Sequence, residues 1–159
     1  MTSDVVPYTV RPADGPEDLQ ACFAVRKEVF VVEQEVPAEL EYDTYDSTAV
    51  HVLAVGEDGT PLGTGRLLYG ADAAGKTGGG PEVGSLGRLA VSAAARGLGV
   101  GAALVRGIEE AARERGLTAV DLHAQTHALG FYERLGYAAY GPVFLDAGID
   151  HRAMRRELV

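Results

Sequence analysis

Apolar positions along this chain switch between the two-residue period of a strand and the 3.6-residue period of a helix. Short runs rich in β-branched and other apolar residues, separated by turn residues, predict a series of strands. They cover Val5–Val10, Ala49–Val55, Leu62–Tyr69, Val83–Val91, Ala119–Ala124, Tyr137–Leu145 and His151–Leu158. Helical spacing predicts a helix from Leu19 to Phe30, a long amphipathic helix from about Gly101, and a short helix from Thr126 to Leu135.

The order of these elements is β-α-β-β-β-α-β-α-β-β, with hairpins instead of a regular alternation of strand and helix. This order predicts a mixed α/β fold and not a doubly wound parallel sheet. In the long helix, the pattern predicts that Leu104, Val105 and Ile108 are buried. It also predicts that Glu109 is exposed and pairs with Arg113, four residues later.

Composition narrows the class of protein. The chain has 159 residues, of which 47% are hydrophobic, so we expect a single domain, residues 1–159. No apolar run reaches the length of about 18 residues that a membrane span needs. The first residues show no secretory leader pattern, and Cys22 is the only cysteine. Together these features predict a cytoplasmic protein without a membrane segment.

The formal net charge is −9, and the sequence shows no cluster or stripe of Lys and Arg. We therefore expect no nucleic acid as a partner. The acidic surface favours a cationic acceptor such as an amine, although salt weakens this attraction. A polyanionic ligand, by contrast, needs local donor groups that hold it against the average field.

The stretch Arg96–Gly101 follows an apolar strand, after a short connection, and leads into the long helix. Glycines let a backbone approach a ligand closely, and the free N–H groups at a helix start attract anions. Arg96 adds a charged, forked donor. This combination indicates a site for a phosphorylated cofactor.

The residues of this turn leave more than one ligand open. Gly97, Gly99 and Ala102 match the dinucleotide pattern G-x-G-x-x-A, with Asp121 as the acid that would bind ribose. Against that reading, residues 92–96 put too much chain between the strand and the first glycine, and Asp121 lies near the start of its strand. The alternatives are a coenzyme A diphosphate site and a glycine-rich helix entry without a ligand.

Several motifs carry a resemblance to a known family. Leu89-Ala90-Val91 followed by Arg96-x-x-Gly99-x-Gly101 is similar to the cofactor motif of the GNAT superfamily of N-acetyltransferases. The segment from Gln125 to Tyr137, with Phe131-Tyr132 at its centre, resembles the helix–strand element that holds the pantetheine end in that superfamily. Further segments resemble the ElaA-like branch: residues 25–34, 43–46, 51, 87–89 and 148–151.

The resemblance implies the GNAT fold, a mostly antiparallel central sheet whose fourth and fifth strands are parallel and splayed, with helices on both faces. It implies an enzyme that transfers an acetyl group from acetyl-CoA to the amine of a small molecule or amino-acid-like acceptor. Such an enzyme would work as a monomer or a homodimer. The alternative is a non-catalytic acyl-CoA-binding or sensor module of the same fold.

The resemblance also implies how the cofactor is held. Pantetheine would pair with the backbone of the fourth strand, and the diphosphate would rest on N–H groups of the glycine turn. The implied cofactor-binding residues are Leu89, Ala90, Val91, Arg96, Gly97, Leu98, Gly99, Val100, Gly101, Ala102, Gln125, Phe131, Tyr132 and Arg134.

For catalysis, the resemblance places the hydroxyl of Tyr132 near the cofactor sulfur. It would act there as a general acid, because a pKa of about 10 keeps a tyrosine protonated at neutral pH. The superfamily often uses a glutamate of the fourth strand as base, but Ser85 stands near that place. We take His51 and His151 as candidate bases because histidine titrates near neutral pH. Other candidates are His123, His127, Glu33 and Glu41, or a base that acts through water.

The predicted acceptor-binding residues are Glu33, Arg66, Arg88 and His123. Arg66 and Arg88 lie within apolar strands, where a charge needs a partner. They either pair with the acidic segment 33–46 or bind a carboxylate of the acceptor. The predicted site contains no metal ligands.

Overall fold

A mixed sheet forms the centre of the structure, a computed structural model that describes residues 7–77 and 80–158. Its strands are β1 Tyr8–Pro12, β2 Val50–Gly56, β3 Pro61–Leu68, β4 Val83–Val91, β5 Ala119–Gln125, β6 Ala138–Asp146 and β7 Ile149–Glu157. They lie in the order β1-β2-β3-β4-β5-β7-β6. Neighbouring strands pair antiparallel except β4 and β5, which are parallel. The predicted mixed α/β fold is therefore confirmed.

Helices cover both faces of the sheet. They are α1 Gly15–Arg26, α2 Ala38–Glu41, α3 Ala74–Thr77, α4 Val100–Glu114 and α5 Leu129–Arg134. A π-helical segment, Lys27–Glu33, continues α1 and was not foreseen from the helical spacing. The first strand begins at Tyr8 and runs to Pro12, and the predicted strand residues 5 and 6 lie outside the described residues.

The parallel pair separates halfway along β4. Residues 83–86 of β4 pair with residues 119–122 of β5, and the pairing ends there. On its other side, β4 stays paired with β3 as far as Val91. The predicted splay of these two strands is confirmed. It leaves the β5-facing edge of residues 87–91 with backbone N–H and C=O groups that a ligand can use.

A β-bulge accompanies this separation. The strands β3 and β4 pair in register on either side of Gly65, but two residues of β4, Arg88 and Leu89, oppose that single glycine. Arg88 has a left-handed backbone with φ 53°, which is uncommon for a residue with a side chain. A Cβ atom on Gly65 would lie 2.6 Å from Cδ1 of Ile108. Glycine at this position therefore lets α4 pack closely on β3 beside the bulge.

Glu109 on α4 is 0% exposed, so the prediction of an exposed residue is wrong. Its carboxylate accepts hydrogen bonds from Arg106 Nη1 (2.9 Å), Arg156 Nη1 (2.6 Å) and the Tyr137 hydroxyl (2.8 Å). Burial by itself would raise the pKa of Glu109, but these hydrogen bonds outweigh burial and lower it. The predicted pair with Arg113 does not form, because the last part of the chain brings Tyr137 and Arg156 to Glu109.

We expect Glu109→Gln to lower the free energy of unfolding by about 2 kcal/mol, because Arg156 and Tyr137 would then face a neutral amide. Equilibrium unfolding in urea measures this change. Glu110→Gln is the matched control, since the side chain of Glu110 is 65% exposed on the same helix. The control should change stability by less than about 0.5 kcal/mol. Equal effects of the two substitutions would contradict the buried role of Glu109.

Candidate active site

A cleft of about 720 Å³ opens where β4 and β5 diverge. The π-helical segment and α2 form one side of it, and α5 and the β6–β7 turn form the other. Many residues that the sequence singled out line this cleft: Glu41, Arg66, Ser85, Arg88, Leu89, His123, Gln125, His127, Phe131, Tyr132 and His151. Folding thus brings candidate residues from distant parts of the chain to one place.

The glycine turn forms the start of α4. Gly99 has a φ of 80° and stands directly before the first helical residue, where no side chain of the described residues caps the helix. The first hydrogen bond within the helix runs from Ala103 N to Gly99 O, at 3.1 Å. The N–H groups of residues 100–102 therefore have no partner within the helix and point away from its start. This geometry leaves backbone donors of the kind that bind anions.

Glu28 of the π-helical segment fixes the chain that leads into this turn. Its carboxylate accepts hydrogen bonds from the Ser92 hydroxyl (3.1 Å) and from Ala93 N (2.9 Å). The role of Glu28 was not predictable from its own helix, because its partners lie more than sixty residues further along the chain. An acidic residue on a helix carries no local sign of such a contact.

A second cavity, of about 480 Å³, adjoins the glycine turn. Arg96 lines it, donates to both carboxylate oxygens of Glu33, and donates from Nε to Val91 O at 3.2 Å. The ion pair is accessible, since the Arg96 side chain is 49% exposed. Glu33, a predicted acceptor-binding residue, therefore lies beside a predicted cofactor-binding arginine and outside the lining of the main cleft.

A chain of polar side chains lies where the two cavities meet. Gln34, Leu89 and His127 line both cavities. The Gln125 amide donates to Gln34 Oε1 (3.0 Å), and its oxygen lies 2.7 Å from His127 Nε2. These contacts link the residue after the π-helical segment to the end of β5. Gln125, a predicted cofactor-binding residue, is thus held between its near neighbour His127 and Gln34, which only folding brings to it.

Tyr132 on α5 lines the cleft and is 8% exposed. Burial raises the pKa of its hydroxyl, so the group stays protonated at neutral pH. The neighbouring ring of Phe131 packs edge-on against it, with centroids 4.9 Å apart, and also lies against Gly101 of α4. Arg134, by contrast, is exposed on α5 and lines neither cavity.

Two histidines lie on the cleft face of β5 and β7. The ring of Phe144 contacts both, with centroid distances of 5.0 Å to His123 and 6.0 Å to His151. His151 Nδ1 lies 2.7 Å from Ile149 O, which assigns the proton to Nδ1 and leaves Nε2 as an acceptor. Burial lowers the pKa of His123, so its neutral form prevails at neutral pH. The neutral ring of His123 and Nε2 of His151 can therefore each accept a hydrogen bond in the cleft.

His51, the other candidate base, is not brought to the cleft. It is 5% exposed on β2, its Nε2 lies 2.9 Å from Asp46 O, and its ring packs edge-on against Phe23. It does not line the cleft. The physical reason is topological, because β3 separates β2 from β4, whose far edge opens the cleft.

The arginines predicted for the acceptor site belong to a buried network of ion pairs, the arginine cluster. Its members are Arg26, Arg66, Arg88, Glu41, Asp43 and Asp46. Arg26 is 1% exposed and lies 2.7 Å from Glu41 and 2.8 Å from Asp46. Arg66 is 2% exposed and lies 2.7 Å from Asp43 and 2.9 Å from Asp46. The acidic segment therefore folds over these arginines and neutralises them.

The cluster changes the interpretation of two residues, Glu41 and Arg26. Glu41, a candidate base, is 2% exposed and already held by Arg26. Arg26 is a member that the sequence analysis did not single out. The sequence did indicate a buried charge here, because Arg26 follows Cys22 by four residues on an apolar helix face. An unpaired charge on such a face is costly, so a carboxylate partner could be expected.

A splayed parallel strand pair beside a glycine-rich helix start forms a wedge of a shape and polarity suited to an elongated, anionic ligand. The model of the acetyltransferase (GNAT) family matches residues 17–137, and the chain belongs to this family. Within the described residues, no helix is long and apolar enough to cross a membrane. Nor does any group of three or more His, Cys, Asp or Glu side chains among residues 7–77 and 80–158 form a metal site.

Relatives of this chain agree with that assignment. The uncharacterized N-acetyltransferase YjcF of Bacillus subtilis (strain 168) is 38% identical over 146 residues, which cover 91% of this chain and 96% of YjcF. The crystal structure of an acyl-CoA N-acyltransferase from Pseudomonas aeruginosa is 36% identical, with a TM-score of 0.77, and covers 95% of this chain and 99% of that one. Escherichia coli ElaA is 28% identical, with a TM-score of 0.78 and coverage of 96% and 99%. The predicted resemblance is confirmed.

The arginine cluster should make stability depend on pH. Burial would raise the pKa of Asp46, but hydrogen bonds from Arg26 and Arg66 outweigh it and lower the pKa to about 2. Because the folded-state pKa lies below the unfolded one, Asp46 stabilises the fold above about pH 4. That contribution, of about 2 kcal/mol, is lost as the pH falls from about 4 to about 2.

Unfolding of the wild type and Asp46→Asn in urea, repeated at several pH values from 6 to 2, measures this contribution. We expect the wild type to have a higher unfolding free energy than the variant at pH 6, and this difference to shrink as the pH falls from about 4 to about 2. A difference that stays constant across this range would contradict the role of the Asp46 charge.

Proposed function

We propose that the chain is an N-acetyltransferase that uses acetyl-CoA and acts on the amine of a small molecule or amino-acid-like acceptor. Membership of the GNAT family supports transfer from an acyl-CoA. The observation that carries the proposal is the path from the start of α4, along the second cavity, to the cleft that holds Tyr132. A cofactor with phosphates at one end and a thioester at the other fits such a path.

The residues along the path fit CoA in the order of its parts. The N–H groups of residues 97–102 would hold the diphosphate, with help from the positive end of the helix dipole. Arg96 would add a charged donor once it turns from Glu33 to a phosphate. The open edge of residues 89–91 would pair with the amides of pantetheine. Phe131 and Gln125 flank this route, whereas Arg134 is exposed and lines neither cavity.

The cleft supplies groups for acetyl transfer. The free Nε2 of His151 would take the proton that the acceptor amine loses as its nitrogen attacks the thioester carbon. A backbone N–H on the open edge at Leu89 would stabilise the negative charge on the carbonyl oxygen. As the carbon–sulfur bond breaks, the Tyr132 hydroxyl would give its proton to the departing thiolate. His123 would form part of the wall on the acceptor side.

A second candidate function rests on Ser85. This residue lines the cleft at the place where many members of the superfamily have a glutamate base. A protein that keeps the cofactor path and lacks the base would bind acyl-CoA without transferring the acyl group. Release of free thiol from acetyl-CoA, with and without a panel of amines, separates the two functions. Amine-dependent release supports the enzyme, and binding without release across the panel supports the sensor.

Substitution of the proposed acid should separate catalysis from binding. We expect Tyr132→Phe to lower kcat by about a hundredfold or more, because the thiolate would leave without a proton donor. The dissociation constant for acetyl-CoA, measured by calorimetry, should change by less than about threefold.

Tyr137→Phe is the matched control, since Tyr137 is buried against Glu109 and lines neither cavity. It should lower stability and leave kcat near the wild-type value. A wild-type kcat in Tyr132→Phe would contradict the role of Tyr132 as the general acid.

The pair of Arg96 and Glu33 should set the affinity for CoA. We expect Arg96→Gln to weaken CoA binding by about tenfold, because a charged donor to phosphate is lost. Glu33→Gln should strengthen binding by up to about fivefold, because the carboxylate competes with phosphate for Arg96. Calorimetry at low and high salt measures both changes, which should shrink as salt is added.

Arg113→Gln is the control for these variants, since Arg113 is exposed on α4 beside Glu110 and lines neither cavity. It should leave CoA affinity unchanged. If Arg96→Gln behaves like this control, the diphosphate does not depend on Arg96.

A further inference from the structure

Within the described part of the chain, Arg88 has an unpaired terminal nitrogen at the cleft, whereas the unpaired Nε of Arg66 is buried. Its Nε donates to Glu41 O (3.1 Å), and its Nη2 donates to Leu40 O (3.3 Å) and to Asp43 Oδ2 (3.2 Å). Nη1 has no hydrogen-bond partner among residues 7–77 and 80–158. The side chain is 23% exposed and lines the cleft. One end of a fixed guanidinium is therefore available to a ligand.

The fold holds this guanidinium in place from two sides. On β4, the bulge and the left-handed backbone of Arg88 direct its side chain out of the strand. On α2, the carbonyl oxygens of Leu40 and Glu41 bind two of its nitrogens. Arg66 differs, because both of its terminal nitrogens donate to Asp43 or Asp46 and its side chain is 2% exposed. Of the two arginines on these neighbouring strands, only Arg88 has the exposure and the free nitrogen to bind an acceptor.

The charge around Arg88 favours an anion at the open nitrogen. Burial lowers the pKa of the Arg88 guanidinium, and the positive charge of Arg66 lowers it further, although Asp43 and Glu41 lie close. The carboxylates nearest to Arg88, those of Glu41 and Asp43, are shared with Arg26 and Arg66. Lys76, whose Nζ lies 5.7 Å from the ring centroid of Tyr45, adds a second positive charge to the lining. Glu39 and Asp146 also line the cleft but are exposed, so water screens their charges.

We infer that Arg88 binds a carboxylate of the acceptor through Nη1, so that the acceptors are amines that carry an acidic group, such as α-amino acids. The inference rests on the proposed acetyl transfer, and it names the class of acceptor. Arg88 belongs to the bulge that accompanies the separation of β4 from β5. A carboxylate held there would place a nearby amine in the cleft that contains Tyr132 and His151.

Matched pairs of acceptors test the inference. The α-amino acids and their primary amides differ in the carboxylate, and thiol release from acetyl-CoA gives kcat/KM for each member of a pair. For the wild type we expect kcat/KM to be at least about tenfold higher for the best amino acids than for their amides. The amine of an amide is the less basic of the two, so amine pKa works against this result. Equal or better use of the amides would overturn the inference.

The variants Arg88→Gln and Arg88→Lys test whether the Arg88 side chain causes the preference for amino acids over their amides. In Arg88→Gln the ratio of acid to amide should fall to within about twofold of one, and Arg88→Lys should give an intermediate ratio. Because both substrates are measured on the same preparation, loss of folded protein cancels from the ratio. Arg113→Gln should keep the wild-type ratio. A variant Arg88→Gln that retains the full preference would overturn the role of Arg88.

A binding measurement keeps the inference testable if no amine is acetylated, a result that would by itself refute the proposed function. N-acetylglycine and N-acetylglycinamide are titrated into the protein saturated with CoA, and calorimetry gives both affinities. At least about tenfold tighter binding of the carboxylate, lost in Arg88→Gln, supports the site. Equal affinities, or no binding of either probe, would overturn it.

Discussion

The end of the pairing between β4 and β5 is the constraint on which the rest of the site depends. After residues 86 and 122 the strands part, while β4 remains fixed to β3. Because β4 follows β3 and not β5, the backbone groups of its open edge lie along one strand. The bulge opposite Gly65 accompanies this change, and the close packing of Ile108 on that glycine holds α4 beside it. The start of α4 thereby points at one end of the same wedge.

The arginine cluster fixes the side of the cleft that lies opposite α5. Removing two nearly inaccessible guanidinium groups, those of Arg26 and Arg66, from water is unfavourable unless each is hydrogen-bonded to carboxylates. The segment from α2 to the first residues after it supplies these carboxylates and so is tied to β3 and β4. The same contacts set the position of Arg88 at the bulge. The ion pairs that neutralise these buried charges thus also shape one side of the cleft.

The sequence predicted what depends on local pattern. Alternation of apolar residues identified the strands within a few residues, and the glycine turn and the helix after it lie where their pattern indicated. The burial of Glu109 was not predictable from its helix, because its partners Tyr137 and Arg156 lie outside it. The same is true of the contacts of Glu28 with Ser92 and of Gln125 with Gln34, which depend on tertiary packing and carry no periodicity. The histidines could be named from their chemistry, but only the order of strands separates His51 from the cleft.

A crystal structure of the protein with bound CoA tests the central claim most directly, because the claim is that one path along the β4–β5 wedge joins the glycine turn to Tyr132. The account predicts the diphosphate on the N–H groups of residues 97–102, pantetheine paired with the backbone of residues 89–91, and the sulfur within hydrogen-bond reach of the Tyr132 hydroxyl. CoA bound outside this wedge, or a sulfur far from Tyr132, would contradict it.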